Sequence, residues 1–132
     1  MSSKYKEDYE FGLNNENDIK PIIENHFNTK LTKLTQYHQM DWEDDNCFYE
    51  LKSRNNEYLK YPTTMIGSNK IEYINKSNKQ GIFLFKFIDG IYYLKYDKNL
   101  KLDKKIGGRK DRGKYEYKQY IYIPIEYLTK IN

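Results

Sequence analysis

The chain has 132 residues and a formal net charge of +4, long enough for one domain with a real core. It has no apolar run long enough to span a membrane, and Met1-Ser2-Ser3-Lys4 carries no secretory pattern. Its single cysteine, Cys47, excludes an internal disulfide and fits an intracellular, reducing compartment.

Ala and Val are absent, Lys outnumbers Arg 20 to 3, and there are 15 tyrosines. That is the mark of a very AT-rich genome, as in some phages, giant viruses and bacteria. The core must therefore be built from Ile, Leu, Phe and Tyr. Residues 1–13 are polar and are expected to fray. Ile19, Ile22, Ile23, His26 and Phe27 recur at helical spacing, which predicts a first helix with His26 on its core face. Asp18 is its expected N-cap, Pro21 lies in its first turn, and Asn28 can end it. Leu31 to Trp42 reads as an extended strand, and Cys47 to Arg54 as its antiparallel partner. A connection follows, up to Tyr61-Pro62, where the proline favours extended backbone. A second helix is predicted after Gly67, opened by a capping box of Asn69 and Glu72, with Ile71 and Ile74 on its apolar face. Gly81 then opens GIFLFKFIDGIYYLKY, two β-rich arms about an Asp89-Gly90 turn. The run 82–87 is apolar on both faces, as a central strand covered by helices would be. A basic loop over 98–118 contains Gly107, Gly108 and Gly113. YKQYIYI reads as a last strand, and Pro124 opens a short terminal helix, IEYLTKI. No repeat or boundary interrupts this order, so 1–132 reads as one domain.

MDWEDDNCFYELKSR, from Met40 to Arg54, concentrates acids in a basic chain: Asp41, Glu43, Asp44 and Asp45 occupy five positions. If Asp45-Asn46 is the centre of a turn, opposed residues have numbers that sum to 91, and Asp41 faces Glu50. Cross-strand neighbours on one face have Cβ atoms roughly 4.5–5.5 Å apart. Lys52, two residues beyond Glu50, projects from the same face. Two opposed carboxylates repel unless a cation lies between them, and oxygen ligands favour a hard ion such as magnesium. Such an ion can activate water, and Lys52 could position that water or stabilise a developing anion. Glu16 lies seven residues before Ile23, so it can share the helix's core-facing side and add a third acid. The same residues also suit an acidic turn on a solvent-facing hairpin, with Lys52 pairing Glu50 or Asp41. A calcium loop fits badly, because Asn46 stands where Gly is needed and Lys52 where Glu is needed.

The second Glu-x-Lys, Glu116-Tyr117-Lys118, serves as a decoy. Asp111 upstream of it is flanked by Arg109, Lys110 and Arg112, and no opposing strand offers a carboxylate in register. From Lys98 to Lys118, nine Lys or Arg meet three acids, a local +6 that leaves −2 for the rest of the chain. Arg109, Lys110 and Arg112 are candidate nucleic-acid contacts, as is Lys70 at the opening of the second helix. A solvated connector has the same composition. His38 reads as a strand-surface histidine, and Cys47 has no base within sequence reach.

GLNNENDIKPIIENHF, HQMDWEDDNCFYELKSR, IGSNKIEYI and GIFLFKFIDGIYYLKYD together resemble the PD-(D/E)XK nuclease superfamily, over residues 11–97. The resemblance implies an α/β fold with a restriction-endonuclease-like αβββαβ core, a central mixed sheet flanked by helices. It implies Asp41 as the metal-binding Asp, Glu50 as the second acid, Lys52 as the active-site lysine and Glu16 as the helix glutamate. Met40 stands where the superfamily has its proline, and the basic segment from Lys98 has no counterpart. The resulting expectation is a hydrolase that cuts DNA phosphodiester bonds with Mg2+ or Mn2+. Its partner would be DNA, with no membrane, and a homodimer is the simplest way for one site per chain to cut two strands. The alternatives are a non-catalytic nucleic-acid-binding protein on the same fold, and a structural β-rich protein with an acidic hairpin.

Overall fold

The computed structural model describes residues 16–109 and 116–131, with side chains given outside 106–118. The first element is a helix, α1, over 16–27. Three strands follow: β1 (Thr32–Lys33), β2 (Trp42–Glu43) and β3 (Cys47–Ser53). Then come β4 (Thr63–Gly67), α2 (Ser68–Lys76), β5 (Gln80–Phe87) and β6 (Gly90–Lys95). The chain closes with β7 (Asp103–Arg109), β8 (Glu116–Pro124), a 3-10 turn (Ile125–Tyr127) and β9 (Thr129–Ile131). Among the described residues the strands form two sheets. The larger is mixed, in the order β1-β2-β3-β5-β6-β9, and the smaller runs β4-β8-β7.

β3 and β5 are parallel neighbours, so the chain between them must cross over one face of the large sheet. That crossover is β4 and α2. Phe48, Phe83, Phe85 and Phe87 pack there against Ile71 and Ile74 of α2 and Ile66, Ile121 and Ile123 of the small sheet. The other face packs under α1, where Ile19 and Ile23 meet Trp42, Tyr49, Leu51, Ile82 and Leu84. β5 is buried on both sides, as its apolar run predicts. The flanking layers differ from the expectation: one face carries a helix, and the other a helix with a second sheet.

Several local expectations are corrected. Residue 16 is already helical, so Asp18 lies inside α1 and does not cap it, and Pro21 lies beyond the first described turn. Asn28 does end the helix, in the left-handed conformation (φ 53°) that Asn tolerates. His26 is exposed at the rim of α1, edge-on to Phe27 and Tyr93. The stretch 31–42 is not one strand. It doubles back, with Leu34 N–H donating to the Asp41 carbonyl at 2.9 Å, so that β1 pairs with β2. The Asn69–Glu72 box does not form, because α2 begins at Ser68 after Gly67 and the Asn69 amide instead donates to Gln39 Oε1. Phe87 pairs with Gly90, which moves the tight turn back one residue to Ile88-Asp89. The shift leaves every side chain on its expected face, because opposed numbers change by two. Asp103–Arg109 is not loop but an edge strand fully paired with β8. The predicted terminal helix is a 3-10 turn followed by β9, which satisfies the open backbone edge of β6. The fraying expected of 1–13 lies outside the described residues.

α2 sits close on β5 because Gly81 has no side chain: a Cβ there would meet Ile74 Cγ1 at 2.9 Å and Cδ1 at 3.1 Å. Gly81→Ala is therefore expected to destabilise the protein by about 1–3 kcal/mol, read as a lower denaturation midpoint at unchanged slope.

Candidate active site

The acidic stretch divides by role, starting at its turn. Asp44 accepts backbone N–H bonds from Asn46 (2.9 Å) and Cys47 (2.7 Å) and hydroxyl bonds from Tyr49 (2.7 Å) and Thr29 (2.9 Å). Burial alone would raise its carboxyl pKa, but these donors hold it below the ordinary value. Glu43 takes an ion pair from Lys79 at 2.5 Å. Asp44 thus closes the hairpin, and Trp42 pairs with Tyr49 and Glu43 with Phe48, the register that sums to 91. Asp41 follows at the next position. Its N–H donates to the Tyr49 carbonyl at 2.9 Å, and its Oδ2 accepts from Leu51 N–H at 2.8 Å. Both contacts bracket Glu50.

Glu50 is 4% exposed, which is costly for a carboxylate. Its Oε1 lies 3.8 Å from Lys52 Nζ, and its Oε2 lies 3.1 Å from Lys70 Nζ. Oε2 is buried, and its contact among the described residues is the Lys70 ammonium. Burial first, and the Asp41 charge second, push the Glu50 pKa up to about 7, against the lowering pull of Lys52 and Lys70. Glu16 is helical, and its carboxylate pairs with Lys33. Its pKa is also raised, mostly by burial, with the nearby Asp41 carboxylate adding to it. Asp41 is thus the common neighbour of Glu16 and Glu50, and Glu16, Asp41, Glu50 and Lys52 lie together as the sequence suggests.

Three partners were not legible in the sequence. Lys70, expected to touch phosphate, turns inward to Glu50 and to the Gln39 carbonyl. Lys33 holds Glu16, and His38 is a strap for the loop before Asp41. Its Nδ1 accepts from Met40 N–H at 3.0 Å, and its Nε2 lies 3.1 Å from the Tyr73 hydroxyl. Apart from the His38–Met40 contact, no local pattern marks these interactions, because they depend on how distant elements pack. Cys47 is a buried free thiol, its pKa raised by burial and then by Asp44, which suits packing and not nucleophilic attack.

The decoy behaves differently. In the described register Glu116 pairs with Arg109, and Lys118 with Gly107. The Arg109 side chain, Lys110 and Arg112 lie outside the described residues.

Could the site suit a cation? Among the described residues no three His, Cys, Asp or Glu side chains form a metal cluster. Magnesium, however, uses one or two carboxylates and keeps several waters. A buried carboxylate whose charge is not fully compensated, beside a second carboxylate, matches a hard divalent ion.

A family model described as "Phage putative PDDEXK endonuclease" matches residues 4–131. The chain belongs to this family. No curated protein and no solved structure matches it. Membership extends the likeness over almost the whole PDDEXK chain, including the basic segment past Lys98 and the small sheet. Among the described residues no helix is long and apolar enough to cross a membrane.

The raised Glu50 pKa has a sign that can be measured. Between about pH 4.5 and 7 the folded protein holds a proton that the unfolded chain has lost, so stability falls as pH rises through this window. In metal-free buffer Glu50→Gln is expected to be more stable than the parent at pH 8, with the gap closing towards pH 4. Urea denaturation at the two pH values checks this.

Proposed function

We propose that the protein is a metal-dependent endodeoxyribonuclease whose site is Glu16, Asp41, Glu50 and Lys52. The observation that carries the reading is the buried Glu50 carboxylate, its pKa pushed up to about 7, held beside Asp41 and two lysines. The family supports DNA as the substrate and hydrolysis as the reaction. Helix, three antiparallel strands, helix and parallel strand follow one another as α1, β1, β2, β3, α2 and β5. We read these as the αβββαβ core, with β4 as an insertion in the small sheet.

Asp41 and Glu50 would hold Mg2+ or Mn2+, which when bound supplies Lewis acidity towards the scissile phosphate. Leu51 N–H fixes Asp41 and leaves its carboxylate aimed alongside Glu50. Lys70 balances the charge of Glu50 from within the fold. Lys52, about one-third exposed, is the cation free to reach solvent and substrate. It positions the attacking water and stabilises charge on the phosphoryl oxygens during in-line displacement. Glu16 would assist at the metal directly or through a water. The chain would work as a single nuclease domain in a reducing, intracellular compartment, and as a homodimer where both strands are cut.

In titration calorimetry the parent is expected to bind Mg2+ or Mn2+ and Asp41→Asn to bind at least tenfold more weakly. Equal binding removes Asp41 from the site. Lys52→Ala is expected to abolish cleavage while DNA affinity and melting temperature stay close to the parent's. Glu116→Gln leaves cleavage unchanged.

The segment Lys98–Lys118, with its local charge of +6, is assigned to the phosphate backbone. Arginines fork onto phosphate oxygens in a way that lysines do not. Replacing Arg109 and Arg112 with Ala is expected to weaken binding on all sequences alike. The log–log salt slope should fall by up to about two units, at about 0.9 per lost contact. An unchanged slope removes the segment from the phosphate contact.

A further inference from the structure

Beyond Lys52, the residue just past the end of β3 sends a third side chain to the same wall. Arg54 follows two residues on, and its backbone N–H is tied to the Lys86 carbonyl at 2.8 Å. Its guanidinium lies 5.8 Å from the Phe85 ring centre and donates to Thr64 Oγ1 (3.3 Å) and to the Met65 carbonyl of β4. Lys70 reaches Glu50 at the other end of the same β4–α2 segment. Glu50, Lys52 and Arg54 therefore form one row beneath one wall.

Arg54 opens onto a cleft of about 250 Å3, lined also by Asn56, Tyr58, Tyr61, Phe87 and Tyr122. Its walls are held in place. Tyr58 stacks on Tyr92 with ring centres 3.9 Å apart and 8° between planes, and its hydroxyl donates to the Ile125 carbonyl at 2.7 Å. The loop carrying Asn56 and Tyr58 is pinned to the β5–β6 turn by Ile88 N–H to Asn56 O (3.1 Å) and Tyr58 N–H to Asp89 Oδ1 (2.9 Å). Tyr61, 53% exposed, stands at the rim.

Four features of this cleft agree on one ligand. Its volume is below the range of about 300–1,000 Å3 usual for drug-sized ligands, so it suits a single planar ring system. Tyr61 at its rim offers an exposed ring for stacking. Arg54 commits two of its five N–H donors to Thr64 and Met65, leaving donors for the acceptor edge of a base. Two residues of strand separate Arg54 from Lys52, roughly 6.6 Å, so a base in the cleft belongs to a nucleotide close to the phosphate at Lys52.

We propose that this cleft holds one unstacked base of the strand whose phosphate lies at Lys52, so that the substrate is DNA with unpaired bases beside the cut. This rests on the nuclease reading, since that reading puts a phosphate at Lys52. A base inside a regular duplex cannot enter without leaving its stack, so a flap, junction or single-stranded arm is favoured over intact duplex.

The test uses the full-length protein without divalent ions and a short duplex with a single-stranded arm that fixes the register. An abasic site is moved along the arm and the surrounding duplex, and affinity is measured at each position. At one position, within about two nucleotides of the bond cut when metal is restored, the abasic site is expected to weaken binding by about 5- to 150-fold. Tyr61→Ala should erase that position's effect, and Tyr61→Phe should keep it, because the ring remains. Tyr61 is exposed enough that both variants should melt near the parent temperature. A flat abasic profile, or a peak unchanged in Tyr61→Ala, overturns the base cleft even if the protein cuts DNA. A Tyr61-dependent peak in a protein that cuts nothing with any metal supports the cleft and overturns the nuclease reading instead.

Discussion

Four hydrogen bonds onto Asp44 set the position from which the site is counted. They close the β2–β3 turn at a fixed residue, and strand geometry does the rest. Side chains alternate with a period of two, so a slip of one residue would turn Glu50 and Lys52 towards α1 and bring Tyr49 and Leu51 to the other face. The hydrophobic pattern resists the same slip. Tyr49 and Leu51 are buried beneath α1, while Phe48 packs on the α2 side. Turn chemistry and core packing therefore specify one register, and that register places Asp41 beside Glu50.

The electrostatics of this arrangement favour function over stability. A core chosen for stability alone would place an apolar side chain where Glu50 stands. The fold instead buries a carboxylate beside another acid, and two lysines do not fully offset the cost, so its pKa rises to about 7. A carboxylate poised in this way is characteristic of a site completed by something that binds it. Lys33 serves Glu16 as Lys70 serves Glu50, each helping to hold an acid where it would otherwise be expelled towards water.

The small sheet shapes the approach to this site. β4 runs directly into α2, so one continuous segment carries Thr64 and Met65 to Arg54 and Lys70 to Glu50. β8 pairs with β4 along its whole length and brings Tyr122 to the cleft. β7 lies on the outer edge of this sheet and carries the basic charge of Asp103–Arg109 with it. The acids, the aromatic cleft and the start of the basic segment are thereby joined through a few paired strands.

The sequence by itself determined what depends on spacing along the chain. The apolar run of β5, the start of α2 after Gly67, the turn at Asp45-Asn46 and the acid-to-lysine spacing all express local periodicity or turn preference. These were enough to place Asp41 opposite Glu50 and Lys52 on the same face. Tertiary structure decided what depends on where chain segments meet. The fold-back of 34–41 and the conversion of a glycine-bearing basic segment into β7 satisfy backbone groups by pairing with a neighbouring stretch, and the pairing of β9 with the edge of β6 does so with a distant one. Asn69 is not a cap because α2 already begins at Ser68, and its amide instead donates to Gln39, thirty residues away. Lys70 and Lys33 joined the site because helix and hairpin packing brought them there, and the Arg54 cleft exists only where the β3 end, the loop after it and β8 converge. Such contacts are invisible to periodicity, since their energy is gained only once the chain has closed over long distances in sequence.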